Sequence, residues 1–313
     1  MFKRKHILLI LSICIVFFGI CSFVGIYYCS KNKITFIIKD TLPDGNNKCA
    51  TVILLGGQSN ASGCSLDEYL RKNVSKEKYE QYQNGYDNVY INYLSGLNLS
   101  QEFVKCSTLQ GELEGSFGPE LGLAEKLNEM YPDEMFFIIK CAWGGTDLFS
   151  QWLSPSSSGK VGKLYKQFVA FVETSIKYLI SKNYDIKIKG MCWMQGESDS
   201  FMVDAASNYG VHLENLINDL RKKFSKYSPD EGFAFVDAYI AANPAYWVYY
   251  ELVNKGKLEV SKKSHNNVLV DTISNGLVCN NEPENNPDMA HYDSLSQIKL
   301  GHLIAEHIFP FLD

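Results

Sequence analysis

The chain has 313 residues, is 46% apolar and carries a formal net charge of −5, which suits one sizeable core and is short for two full domains. It contains no long block of like charge and no clustered basic stretch, so a nucleic-acid partner is not expected. No Cys-x-x-Cys pair or histidine cluster has metal-ligand spacing, and neither a metal nor a cofactor is expected.

Lys3, Arg4 and Lys5 precede an uncharged run over residues 7–29. A membrane-spanning helix needs about 20 apolar residues, and this run is long enough. It ends in Ile26-Tyr27-Tyr28-Cys29, without the small-x-small pattern of a cleavage site, so an uncleaved anchor is favoured over a removed signal peptide. The expected organisation is a cytoplasmic tail at 1–6, a transmembrane signal-anchor at 7–29, a linker at 30–48 and one domain at 49–313. The basic end favours a cytoplasmic N-terminus and a domain facing the cell surface, the periplasm or a lumen; cleavage would make it secreted. At most one or two disulfides are expected, with Cys49, Cys64 and Cys106 as the leading candidates to take part, and Cys141 and Cys192 as buried thiols.

Past the turn-rich Pro43-Asp44-Gly45-Asn46-Asn47, strands and helices alternate. Residues 51–55 and 135–141 read as buried strands, 120–130 and 164–180 as helices at 3.6-residue spacing, 186–194 as a strand and 208–224 as a helix. A strand at 233–236 and a closing helix at 294–309 follow. Residues 65–115 and 240–290 are less regular and read as insertions that wall a cleft. The alternation predicts an open α/β sheet covered on both faces, with ligands beyond the carboxyl ends of its strands.

Polar motifs fall at those ends. Gly56-Gly57-Gln58-Ser59-Asn60 follows the first strand, and a serine on a glycine-flanked turn is exposed for nucleophilic attack once a base takes its proton. Trp143-Gly144-Gly145-Thr146-Asp147 and Trp193-Met194-Gln195-Gly196-Glu197-Ser198-Asp199 follow two further strands and offer backbone or amide N–H groups to an oxyanion. Near the far end, Asp288-Met289-Ala290-His291 lets a carboxylate orient one imidazole nitrogen while the other faces the serine. The remaining histidines, His6, His212, His265, His302 and His307, read as structural or solvent-exposed.

In Gly57-Gln58-Ser59-Asn60, Gly118-Pro119-Glu120, Gly144-Gly145-Thr146, Trp193-x-Gln195-Gly196-Glu197-x-Asp199 and Asp288-x-x-His291-Tyr292, the chain resembles the SGNH hydrolases, and within them the carbohydrate esterase family 6 and sialate O-acetylesterase-like group. The resemblance implies a three-layer α/β/α sandwich with a central, mostly parallel, flavodoxin-like sheet. It implies Ser59 as nucleophile, His291 as base, and the Ser59 and Gly145 backbone N–H groups with the Gln195 side chain as oxyanion donors. Asp288 is the favoured acid; Glu197 matches a residue proposed for that role in some relatives and, with Asn60, supports the site. The substrate implied is acetylated carbohydrate, of acetylxylan or another glycan type. A sialate O-acetylesterase, an inactive carbohydrate-binding relative and an acyl-chain lipase or thioesterase stay open as alternatives.

Overall fold

The apolar run after Lys48 forms strand β1 (Cys49–Gly57), which lies inside the main sheet and is buried in all but its first residue. It leads into the short helix α1 (Ser59–Ser62), strand β2 (Ser65–Leu66) and helices α2 (Asp67–Asn73) and α3 (Lys76–Asn84). Then come β3 (Val89–Ser95), β4 (Asn98–Leu99), β5 (Val104–Lys105), β6 (Ser116–Phe117), α4 (Glu120–Met130) and β7 (Phe136–Ala142). The second half holds α5 (Lys163–Ser181), β8 (Asp185–Met194), α6 (Val203–Phe224), β9 (Ala234–Ala238), α7 (Tyr250–Ser261), β10 (Asn267–Val270) and α8 (Ser294–Ile308).

This computed structural model describes residues 34–279 and 282–312. The chain divides into two units, at residues 1–36 and 37–313; of the first, only 34–36 are described, and they form neither helix nor strand. The anchor expected at 7–29 lies outside the described residues. Among those described, no helix is long and apolar enough to cross a membrane.

The main sheet runs β10-β9-β8-β1-β7-β3-β4, with β5 also paired to β3. The six strands from β10 to β3 are mutually parallel, and only β4 and β5 run against them. Successive residues of a strand point to opposite faces, and every residue of β7 and β9 is buried. Both faces of the sheet are therefore covered, which makes this a mostly parallel α/β fold of the layered kind expected.

The chain leaves β1 for β3, returns to β7 at one side of β1, then crosses to β8 at the other. That reversal opens a crevice at the carboxyl end of β1. Register sets the three strand ends level, because Gly57 pairs with Ala142 on one side and Met194 on the other. The turns that follow β1, β7 and β8 thus emerge together.

Three expectations change. The stretch to residue 48 is not a loose linker from residue 39 on: Lys39 N–H donates to Gln101 O at 2.7 Å, and Gly45 N–H to Lys182 O at 2.6 Å. Tyr178 Oη accepts from the Thr41 and Leu42 N–H groups, so this segment is fastened onto the domain by its backbone. Second, the segments at 65–115 and 240–290 contribute β3 and β10 to the sheet as well as α2, α3 and α7. Third, all six described cysteines are free thiols, including Cys49, Cys64 and Cys106.

Two charged pairs are buried among the described residues, Lys257–Asp237 and Lys140–Glu120. Lys140 sits in the apolar run of β7 and meets Glu120 at 2.8 Å, both fully buried. Glu120 also accepts from the Gly118 N–H at 2.9 Å, which explains the acid in Gly118-Pro119-Glu120. Removing one partner strands a buried charge at a cost of about 3–5 kcal/mol. Glu120→Ala is therefore expected to lose stability on that scale in urea unfolding, and Glu120→Leu combined with Lys140→Met to recover most of it. Equal losses in both would show that pairing is not what the site requires.

Candidate active site

Ser59 opens α1 directly beyond β1 and keeps 8% of its surface exposed. The end of β1 is pressed so closely against β8 that a Cβ on Gly57 would lie 2.0 Å from Met194 O, and its φ of +138° is one only glycine adopts freely. At a helix start the first N–H groups have no intrahelical partner. Those of Ser59 and Asn60 meet no acceptor among the described residues, so they face the crevice as free donors.

Asn60 is buried and joins three segments. Its Nδ2 donates to Glu197 Oε1 at 2.9 Å, its Oδ1 accepts from the Tyr292 N–H at 3.1 Å, and its carbonyl accepts from Gln297 Nε2 at 2.8 Å. The residue after Ser59 is thereby bonded to the residue after His291. Ser65 Oγ adds a bond to Tyr292 O at 2.7 Å, which holds the same segment from the other side of α1.

His291 Nδ1 lies 2.5 Å from Asp288 Oδ2, and the other Asp288 oxygen accepts from the Ala290 and His291 N–H groups. Burial works against the Asp288 charge, yet these bonds hold its carboxyl below the usual range. Burial likewise disfavours the imidazolium of His291, but the bonds to Asp288 and to the Cys64 thiol outweigh it and raise the group to about 10. Glu197 makes no hydrogen bond to the ring. It is pushed up by burial, accepts from Asn60, and leaves Oε2 buried without a hydrogen-bond partner. Of the two acids considered, Asp288 is the one in contact with His291.

The nucleophile–base bond expected from the sequence is not formed. Ser59 Oγ makes no hydrogen bond to a described residue, and the neighbouring Cys64 favours the charged form of the His291 ring. Catalytic hydrogen bonds are often open before substrate arrives.

Gln195 is also placed differently. It is fully buried; its Nε2 donates to Asp199 Oδ2 at 2.6 Å and Thr146 O at 2.9 Å, which uses both amide hydrogens. Its Oε1 accepts from Tyr209 Oη. Gln195 thus braces the turns after β7 and β8 and is not presented as an oxyanion donor. Asp199, pushed to about 6 chiefly by burial, completes that brace by accepting from the Leu148 and Phe149 N–H groups.

Gly145 lies on the turn after β7. Its φ of +66° turns the chain, the space around it is open, and its N–H has no acceptor among the described residues. Donors without an acceptor among the described residues thus lie at Ser59 and Gly145, beyond the ends of the adjacent strands β1 and β7. No group of metal-ligating side chains occurs among the described residues.

One residue here escaped the sequence as a site residue: Cys64, whose only signal was its nearness in sequence to Ser59. A base must be neutral to accept a proton. The raised His291 group therefore predicts kcat/KM rising with pH through an apparent pKa above the ordinary imidazole value of 6.5. Cys64→Ala removes one of the bonds that raise it, and is expected to move that limb to lower pH. An unmoved limb in this variant would contradict the Cys64–His291 pairing.

A family model described as carbohydrate esterase, sialic acid-specific acetylesterase matches residues 49–310. No curated protein matches. Among solved structures, a protein from Arabidopsis thaliana is similar at 20% identity and TM-score 0.59, over 86% of this chain and 99% of that one. NanS is similar at 16% identity and TM-score 0.62, over 87% and 98%. A carbohydrate acetylesterase from Xanthomonas citri is similar at 15% identity and TM-score 0.56, over 83% of this chain and 56% of that one. At such identities these structures speak for the fold alone, whereas the family match spans every element from β1 to α8: the chain belongs to the sialic acid-specific acetylesterase family of carbohydrate esterases.

Proposed function

We propose that this chain removes O-acetyl groups from a neutral carbohydrate through an acetyl-enzyme on Ser59. The observation that carries the proposal is the Asn60–Tyr292 bond, which fastens the Ser59 turn to the segment bearing the Asp288–His291 pair. In the first step the His291 ring leaves Cys64 and takes the Ser59 proton. Oγ attacks the acetyl carbonyl, and the oxyanion is held by the Ser59 and Gly145 N–H groups, each worth about 3 kcal/mol in such sites. The sugar alcohol leaves with the proton from His291. Water then enters, gives its proton to His291, attacks the acetyl carbon and releases acetate as Ser59 recovers its proton.

Charge supports a neutral sugar. The segments that leave the carboxyl ends of the parallel strands, residues 58–66, 96–119, 143–162, 195–202, 239–249 and 271–293, contain no arginine; their lysines are Lys105 and Lys160. Lys105 is bound to Asp87. The same segments carry Glu112, Glu114, Asp147, Glu284 and Asp288, a field that disfavours an anionic substrate. The family description favours a second reading, a sialate O-acetylesterase.

The two readings separate on O-acetylated N-acetylneuraminic acid and its methyl ester, which differ in one negative charge. The neutral-sugar reading predicts faster turnover of the ester and of acetylated xylan fragments than of the free acid, with the gap narrowing at high salt. A free acid turned over faster than its ester would favour the sialate reading. Ser59→Ala should abolish acetate release from each substrate; release that survives it would overturn the mechanism.

The proposal extends to location. The length of the apolar run at 7–29 supports an anchored domain outside the cytoplasm. The full chain is then expected in the membrane fraction, released only by detergent; a freely soluble full-length product would contradict it.

A further inference from the structure

The polar groups of the turn after β7 are almost all committed. Trp143 N–H donates to Gly57 O at 3.1 Å, and Thr146 Oγ1 donates to Trp143 O at 2.7 Å. Thr146 O accepts from Gln195 Nε2 at 2.9 Å. Gly144 N–H donates to Glu112 Oε2 at 2.8 Å. The turn is pinned before and after Gly145, and the Gly145 N–H is left free.

Glu112 comes from a distant part of the chain, the loop between β5 and β6. The oxygen that accepts from Gly144 also accepts from Ser62 Oγ, the last residue of the helix that Ser59 begins. Its own N–H donates to Gly63 O at 2.8 Å, which fixes where the side chain starts. One carboxylate oxygen therefore ties the turn of Gly145 to the helix of Ser59.

The surroundings are shaped to admit it. A Cβ on Gly144 would lie 2.7 Å from Glu112 Oε2, and one on Gly96 would lie 2.6 Å from its Cγ. Real contacts of that kind are not made, so two glycines from different loops leave the room that this one side chain fills. Two donors from separate segments and two glycines converge on the same group.

We propose that Glu112 is a positioning residue of the oxyanion site, setting the spacing between the Ser59 and Gly145 N–H groups. The inference rests on the esterase reading above and adds a residue to it. Glu112 acts through Gly144 and Ser62 and touches no reacting atom. What its two donors require is an acceptor, so a glutamine oxygen serves in place of the carboxylate.

The test compares wild type, Glu112→Gln, Glu112→Ala and Ser62→Ala. It reads kcat and KM for p-nitrophenyl acetate, the rate at which a fluorophosphonate labels Ser59, and thermal unfolding. A well-placed oxyanion donor is worth about 100-fold in kcat, and misplacing one loses part of that. Glu112→Ala is expected to lose about 10- to 100-fold in kcat and in labelling rate, with KM within about threefold. Glu112→Gln should stay within about threefold of wild type, and Ser62→Ala should fall between them. Ser62→Ala loosens only the α1 side, so it carries the test if Glu112→Ala does not fold. A folded Glu112→Ala with wild-type kcat, a loss seen only in KM, or equal losses in the Gln and Ala variants would overturn the assignment. A wild type silent to both ester and fluorophosphonate would be a different result: it would overturn the esterase reading on which this one rests.

Discussion

The arrangement of the site depends on the side chain of Asn60. A primary amide has two donors and an acceptor with two lone pairs, and this one, nearly sealed from solvent, spends them across the fold. Through Glu197 it reaches the end of β8, and through the Tyr292 N–H it reaches the segment of His291. Its backbone carbonyl, separately, holds Gln297 of α8, so the final helix is moored to the same residue. Unmade hydrogen bonds are costly in such a place, and a loss of the side-chain amide would release the end of β8 and the His291 segment together. The proposed chemistry joins groups from positions 59 and 291 through one residue that performs none of it.

In the proposed mechanism the base is held in reserve. His291 is bound on one side by Asp288 and on the other by Cys64, and both bonds favour its charged form. Attack by Ser59 requires the ring to give up the thiol and the proton together. Substrate that fills the crevice and excludes water shifts that balance, because an imidazolium is harder to keep as its surroundings dry. A further negative charge on the substrate would bear on the same step, since it would hold His291 protonated.

Much of the fold was legible because buried parallel strands and long amphipathic helices write themselves in apolar runs: β7, β8, α4, α5 and α8 lie within two residues of their expected bounds. The strands that were missed have reasons of their own. In β3, Asn92 and Ser95 interrupt the apolar pattern and become tolerable only through Ser175 and the Gln110 carbonyl, partners far along the chain. At four residues, β10 is too short to show a period.

In the site, spacing alone brought Asp288 to His291, because three residues on a turn are a local geometry. Gln195 was misjudged because its motif fixes where it sits and not which acceptors surround it. Those acceptors, Thr146 and Asp199, are set by tertiary packing. Glu112 carried no signal at all, since its partners Ser62 and Gly144 lie 50 and 32 residues away in the chain.

The central claim is that Ser59 carries the acetyl group between sugar and water. It is tested most directly by mixing the protein with an acetyl ester, quenching in acid during turnover, and mapping the modified peptide by mass spectrometry. The account predicts one acetyl group on Ser59, absent from Ser59→Ala and gone once substrate is exhausted. An acetyl group found on Cys64 instead, or ester hydrolysis with no acetylated residue at any time, would contradict it.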